Sequence, residues 1–176
     1  ASRVPGLHLV VAGDGPLRER VDALGQELMG PRFLRLSVDR SRMPLLYRSV
    51  DVLLHMSLDE PSSNAYIEAL ASGLPVVTHD RGVTRWTFED QAELVDATRP
   101  GLVAEAITRA VAKTSPTHVA ARRSLVERRF TWSALARQYA AGQTAPGGPA
   151  HERFATNARF DDGRAVAIGR HSHRTK

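Results

Sequence analysis

The sequence predicts an α/β fold built on a doubly wound parallel sheet, and three observations carry that prediction. Leu7-His8-Leu9-Val10-Val11-Ala12 is a continuous apolar run closed by glycine, the pattern of a strand covered on both faces. Runs of this kind alternate along the chain with stretches at helical spacing, which is the order of βαβ units. Aromatic residues make up only 6% of the chain while glycine (13) and alanine are plentiful, which suits helices laid closely on a sheet.

Taken in order, the first strand is expected to be central. Gly13-Asp14-Gly15-Pro16 ends it, and Pro16 suits the first turn of a helix, where its missing amide would have no partner anyway. Leu17, Val21, Leu24 and Leu28 follow as an apolar stripe at helical spacing. Phe33-Leu34-Arg35-Leu36-Ser37-Val38 is a second strand, a short helix carries Met43, Leu45, Leu46 and Tyr47, and Asp51–Ser57 is a third strand. A helix is predicted from about Ser63 to Ser72, with Gly73 as a left-handed C-cap. Pro75-Val76-Val77-Thr78 is a fourth strand, with proline tolerated at its start, and Glu93–Asp96 is a short fifth.

From Pro100 the pattern is wholly helical. Leu102, Val103, Ala106, Ile107, Ala110 and Val111 form one face, and Pro116 opens a second helix through Phe130. Thr131 can N-cap a third, with Trp132, Leu135, Ala136 and Tyr139 as its apolar side. The domain is expected to span residues 1–140. Residues 141–176 open with Gln143-Thr144-Ala145-Pro146-Gly147-Gly148-Pro149, hold few large apolar side chains, and read as a flexible basic tail. Its His171 and His173 lack a third ligand for a metal, so no metal is expected.

The formal charge of +5 is carried almost wholly by arginines dispersed over polar faces without interleaved aromatics. That argues against nucleic acid as a partner and leaves a peripheral membrane contact open. No cysteine is present, and no apolar run approaches the ~18 residues that would span a membrane. Ala1–Gly6 lacks the charged and apolar segments of a signal peptide. A cytoplasmic location is the expectation. The chain enters a strand within a few residues of its start, so it is expected to be a fragment of a longer polypeptide.

Parallel sheets bind ligands at the carboxyl ends of their strands, a rim that here takes in Gly13–Gly15, Val38–Asp39, Ser57–Asn64 and Thr78–Gly82. Gly13 and Gly15 would let the backbone approach a ligand closely, although any tight strand-to-helix turn also needs glycine. Ser62, Ser63 and Asn64 stand where a helix begins, with free amides and the positive end of its dipole favouring a phosphate. Glu60 lies just outside that terminus and is free to accept from ligand hydroxyls. Glu68, a turn or so inside, could accept from a vicinal diol, as carboxylates in α/β sites do with ribose. Phosphate between two diols describes a sugar nucleotide. By themselves the two glutamates fit a plainer reading better, with Glu60 complementing the dipole and Glu68 on a solvated face.

The surrounding pattern reverses that balance. Leu9-Val10-Val11-Ala12-Gly13-Asp14-Gly15-Pro16-Leu17, Leu45-Leu46-Tyr47-Arg48-Ser49-Val50-Asp51-Val52, the Glu60–Glu68 spacing, Glu68-Ala69-Leu70-Ala71-Ser72-Gly73-Leu74-Pro75-Val76-Val77 and Phe130-Thr131-Trp132 stand in an order that resembles the retaining GT-B glycosyltransferases of the GT4 class. The resemblance covers most of the first 140 residues. It implies a Rossmann-like C-terminal donor domain, truncated on its N-terminal side, that binds a nucleotide-diphospho-sugar as substrate, with no cofactor and no metal.

By that resemblance Glu60 would be the catalytic residue that holds donor-sugar hydroxyls, and Glu68 would hold the ribose. The amides around Ser63 and Asn64 would take the diphosphate or sugar, and the backbone near Val38 would flank the base. Ser62-Ser63 replaces the Phe-Gly that the family often carries, which leaves the sugar open. The family's acceptor domain, first donor-domain strand and diphosphate-clasping Arg and Lys would precede residue 1, in cis or as a partner chain. The fragment alone is therefore expected to be inactive. Arg81 and Arg85 read better as solvated loop residues than as their substitutes. The alternative is a non-catalytic nucleotide-sugar-binding module or subunit that needs a separate acceptor-domain partner.

Overall fold

The computed structural model describes residues 2–143, in which five short strands alternate with seven α-helices. β1 (Leu9–Ala12) pairs with β2 (Phe33–Leu36), while β3 (Leu53–His55), β4 (Val76–His79) and β5 (Glu93–Val95) form a second sheet with β4 in the middle. Every pairing is parallel, with Leu9 opposite Phe33, Leu53 opposite Val76 and Val77 opposite Glu93.

β4 shows why helices must cover both faces. Val76, Val77 and Thr78 are all inaccessible to water, and successive side chains of a strand point to opposite faces. Val76 therefore packs with Tyr66, Ala69 and Leu70 of α3 (Asn64–Ser72) and Leu125 of α6 (Pro116–Arg129). Val77 packs on the other face with Leu54, Val95 and the Val103, Ala106, Ile107 and Ala110 side of α5 (Pro100–Val111). α3 ends as predicted, with Gly73 at φ 79 and the Leu74 amide donating to the Ala69 carbonyl over 2.9 Å. The buried Arg122 of α6 fastens that turn, its Nη1 donating to the Gly73 carbonyl at 3.0 Å and its Nη2 to the Lys113 carbonyl at 2.6 Å.

Four features depart from expectation. β1 is not central: among the described residues it pairs with β2 alone, and only Val11 of its four residues is buried. In α1 (Arg18–Met29) the stripe of Leu17, Leu24 and Leu28 is about half exposed, and Gly25 and Met29 are buried instead. The cause is a close approach, because a Cβ at Gly25 would lie 2.4 Å from the Phe33 ring, so the helix seats on its smallest residue and turns its leucines outward. In α7 (Trp132–Gln143) Thr131 Oγ1 accepts from the Ala134 amide at 3.2 Å, as an N-cap should. Its buried residue is Ala134, however, and Trp132 and Tyr139 are 89% and 70% exposed. Finally, α4 (Gly82–Phe88) is absent from the sequence-based expectation, being too short at seven residues to display a repeat; Thr84 Oγ1 accepts from the Arg81 amide to start it.

α7 runs three residues past the expected domain end at 140. The rest of the expected tail, His171 and His173 included, lies outside the described residues.

Candidate functional site

β3 ends at His55, and the chain crosses the carboxyl end of the sheet as a loop before α3 starts at Asn64. Arg81 holds this loop from the far side, donating to the Leu58 carbonyl at 2.8 Å and to Asp59 Oδ1 at 2.5 Å. Glu60 curls over it, with Oε1 accepting from the Ser62 amide at 3.3 Å. Ser63 is the N-cap of α3 in an extended conformation, and its side chain makes no capping hydrogen bond. The hydroxyl therefore leaves alone the first amides of α3; that of Tyr66 donates to the Ser63 carbonyl at 3.1 Å, and helix geometry gives those of Asn64 and Ala65 no intrahelical partner. Glu68 lies one turn in on the same face as Asn64, where its Oε2 accepts from the Tyr47 hydroxyl at 2.9 Å. Tyr47 comes from α2 (Met43–Arg48) and is buried, so it approaches that carboxylate from the protein side.

These groups converge. Glu60, Ser62, Ser63, Asn64 and Glu68 all line one groove of about 1350 Å³, together with Tyr47. Its apolar stretch runs between two strands, with Leu9 and Val10 of β1 on one side and Leu53 and Leu54 of β3 on the other. Gly13, Gly15 and Val38 are not brought into this lining. The turn after β1 is already engaged, since the Gly13 amide donates to the Leu36 carbonyl of β2 at 3.0 Å and the Gly15 amide to Asp14 Oδ1 at 2.9 Å. Arg85 is held by Asp80 in two bonds of 2.6 and 2.8 Å, and this fork keeps the Asp80 carboxyl below its ordinary range. Arg81, the N-cap of α4, and Arg85 within that helix are thus both engaged with aspartates, rather than standing as solvated loop residues.

Beneath Glu60 lies a buried polar cluster that sequence reasoning does not single out. His55 is 3% exposed, and its Nε2 stands 4.0 Å from Glu60 Oε2. On its other side, Tyr66 Oη lies 3.0 Å from both His55 Nδ1 and Thr78 Oγ1, and Thr78 Oγ1 donates to the His55 carbonyl at 2.8 Å. Burial pulls the His55 imidazolium below its ordinary pKa, outweighing the opposite pull of Glu60, and burial raises the Tyr66 phenol. The signal in the sequence is the polarity of His55 and Tyr66 inside apolar runs, because a polar atom at a buried position needs a partner. Among the described residues no three His, Asp or Glu side chains stand together as a metal site, and no helix is long and apolar enough to cross a membrane.

Comparison with known proteins places this geometry in a family context. The family model described as glycosyl transferases group 1 matches residues 1–128. The GDP-mannose-dependent alpha-mannosyltransferase of Mycolicibacterium smegmatis is 29% identical over 136 residues, which is 72% of this chain and 33% of that protein. An alpha-monoglucosyldiacylglycerol synthase of Streptococcus pneumoniae is 36% identical over 77 residues, 42% of this chain and 17% of its own length. The chain thus spans a third or less of these curated relatives. Among solved structures, sucrose-phosphate synthase from Thermosynechococcus elongatus superposes with a TM-score of 0.70 at 27% identity, covering 80% of this chain and 38% of that one. Anabaena HepE in complex with UDP-glucose superposes with a TM-score of 0.67 at 20% identity, covering 81% and 42%, and shares the fold.

Proposed function

The chain belongs to the group 1 glycosyl transferases, and from that premise we propose that it is the donor-binding part of a retaining enzyme that moves a hexosyl group from a nucleotide-diphospho-sugar to a hydroxyl acceptor. The observation that carries this reading is the shared groove: Glu60 and Glu68 enter it from two sides of the α3 N-terminus, with Ser62, Ser63 and Asn64 between them. Glu60 is assigned to hydroxyls of the donor sugar and Glu68 to the ribose diol. The amides that open α3 lie between the two carboxylates, where a diphosphate would meet the positive end of the helix dipole.

Transfer breaks the bond from the sugar to the diphosphate and leaves negative charge on the departing phosphate. Hydrogen-bond donors and cations preorganised toward such developing charge usually lower the barrier more than any other single effect. α3 offers amides for it, but Arg81 and Arg85 are already committed to Asp59 and Asp80. The remaining positive charge is assigned to the family's Arg and Lys, supplied with the first donor-domain strand and the acceptor domain, in cis or by a partner chain. The apolar stretch of the groove between β1 and β3 is assigned to a further strand lying between the two sheets, which would give β1 and β3 each a second partner. The complete polypeptide is therefore the form to assay.

The mannosyltransferase name supplies GDP-mannose and the HepE structure UDP-glucose as first probes. Calorimetric titration of UDP, GDP and both sugars into the complete polypeptide is expected to show saturable binding of one nucleotide series. Glu60→Ala should abolish transfer, and chelation with EDTA should leave it unchanged. Absence of binding by either series, together with undiminished transfer in Glu60→Ala, would sink the assignment.

A further inference from the structure

The cluster of His55, Tyr66 and Thr78 permits one placement of its protons. Thr78 gives its hydroxyl proton to the His55 carbonyl, which can only accept. The Thr78 oxygen is then left as the acceptor in its 3.0 Å contact with Tyr66, so the Tyr66 proton goes there. Tyr66 Oη in turn is left to accept in its 3.0 Å contact with His55 Nδ1, so the imidazole must carry its proton on Nδ1. The consequence appears at the other nitrogen. In the neutral ring Nε2 is bare, and it faces Glu60 Oε2 across 4.0 Å, beyond hydrogen-bond reach.

We propose that His55 is a positioning residue for Glu60: the Tyr66–Thr78 relay holds a neutral ring with its bare Nε2 toward the carboxylate, which leaves Glu60 turned to the groove, and a proton taken up there draws Glu60 back onto His55. The inference rests on the reading of Glu60 as a donor-sugar ligand. The proton balance is simple. Nδ1 keeps its proton, Nε2 takes one from solvent, and the resulting N–H donates to the carboxylate with a full opposite charge behind it. Burial opposes that uptake and Glu60 favours it.

The other groups around the ring bear on the same step. Arg81 adds positive charge near Tyr66, while its guanidinium is held by Asp59. Phe88 closes the far side of Tyr66 at 4.9 Å between ring centroids. His79 of β4 directs Nδ1 to the Ala97 amide and the Val95 carbonyl instead. Glu60 is thus the carboxylate placed to receive the new proton's charge.

Two measurements test this on the complete polypeptide. Long-range proton–nitrogen NMR of the histidine rings is expected to show His55 as the Nδ1–H tautomer at pH 8. Tyr66→Phe, or Thr78→Val should that variant fold better, should release the tautomer, and Glu60→Gln should lower the His55 titration midpoint. An Nε2–H tautomer in the wild type, or a midpoint unmoved by Glu60→Gln, overturns the proposal without any donor being present. The second measurement titrates UDP-glucose and GDP-mannose from pH 8 to pH 5. Below the His55 midpoint the apparent Kd should rise about tenfold per pH unit, because only the unprotonated fraction binds, and His55→Asn should flatten that slope. An unchanged slope in His55→Asn overturns the coupling. Failure of both sugars to bind at every pH would instead remove the donor reading and leave the proposal to the NMR result.

Discussion

Replacing Gly73 by alanine tests the joint that sets α3 in place, and its cost can be worked out from two separate features. The first is backbone conformation: Gly73 caps α3 at φ 79 and ψ 11, a left-handed geometry that costs an L-residue roughly 1–2 kcal/mol. The second is space. An added Cβ would lie 2.6 Å from Val119 Cγ1 of α6, a contact that must be relieved by moving α6 or the α3–β4 turn, at about 1–3 kcal/mol for overpacking. Arg122 limits that movement, since it grips the Gly73 carbonyl from α6 itself. The sum is about 2–5 kcal/mol, read as a lower urea midpoint with unchanged slope. The two parts separate in a double-mutant cycle, because Val119→Ala removes the clash and leaves the strained φ. Gly73→Ala should cost only about 1–2 kcal/mol in that background, a coupling of about 1–3 kcal/mol. Strict additivity of the two substitutions would refute the packing argument, and a Gly73→Ala cost under about 0.5 kcal/mol would refute both.

Three further outcomes are expected. Tyr47→Phe removes the hydroxyl that orients Glu68, and a hydrogen bond to a charged group is worth about 1.5 kcal/mol, so nucleoside diphosphate affinity should fall roughly tenfold; no additional loss should appear in a Glu68→Ala background, and a change under twofold in Tyr47→Phe alone would count against the pairing. Arg122→Met strips the Gly73 and Lys113 carbonyls of their donors and should cost about 2–4 kcal/mol in thermal or urea unfolding, whereas Arg18→Met, which removes an exposed side chain paired with Asp14, should stay within about 0.5 kcal/mol. Glu93 is pushed up by burial but held lower still by Lys113 and Arg109, so its folded pKa is depressed; the stability it adds is present above its unfolded pKa near 4.5 and is lost as pH falls through the folded value, and Glu93→Gln should flatten that acid limb by about 1 kcal/mol.

The parts of the fold that could be read from sequence are those where one local pattern has one structural outcome. Pro75-Val76-Val77-Thr78 follows a helix cap and reads as a strand, and Val76, Val77 and Thr78 do enter one, inaccessible to water. Val103, Ala106, Ile107 and Ala110 repeat at helical spacing and bury together. Gly73 follows a helix and precedes a proline by two residues, and only a left-handed turn uses it well. The misreadings arise where two faces of a helix compete. In α1 the leucine stripe is the more apolar face, yet Gly25 seats the helix on the Phe33 ring, and close packing on a small residue wins over hydrophobicity. In α7 the aromatic stripe predicts a buried side that no described neighbour covers, because hydrophobic pattern says that a face is apolar and not what will cover it.

The same distinction separates the legible from the hidden half of the site. Glu60 and Glu68 are spaced within one loop and helix, so their convergence on a groove follows from local geometry. Their supporting groups come from other elements: Tyr47 stands 21 residues before Glu68, and the relay joins β3, α3 and β4 through the register that sets His55 opposite Thr78. No local period encodes such a register. What the sequence does carry is a set of polar atoms in need of partners, because a histidine and a tyrosine inside apolar runs must be met by something. α3 serves both carboxylates at once. Its buried face sends Tyr66 to fix the histidine beneath Glu60, and its groove face presents Glu68. A shift of this helix should therefore disturb both carboxylates together, whereas the relay variants should act on Glu60 and leave the Tyr47–Glu68 bond intact.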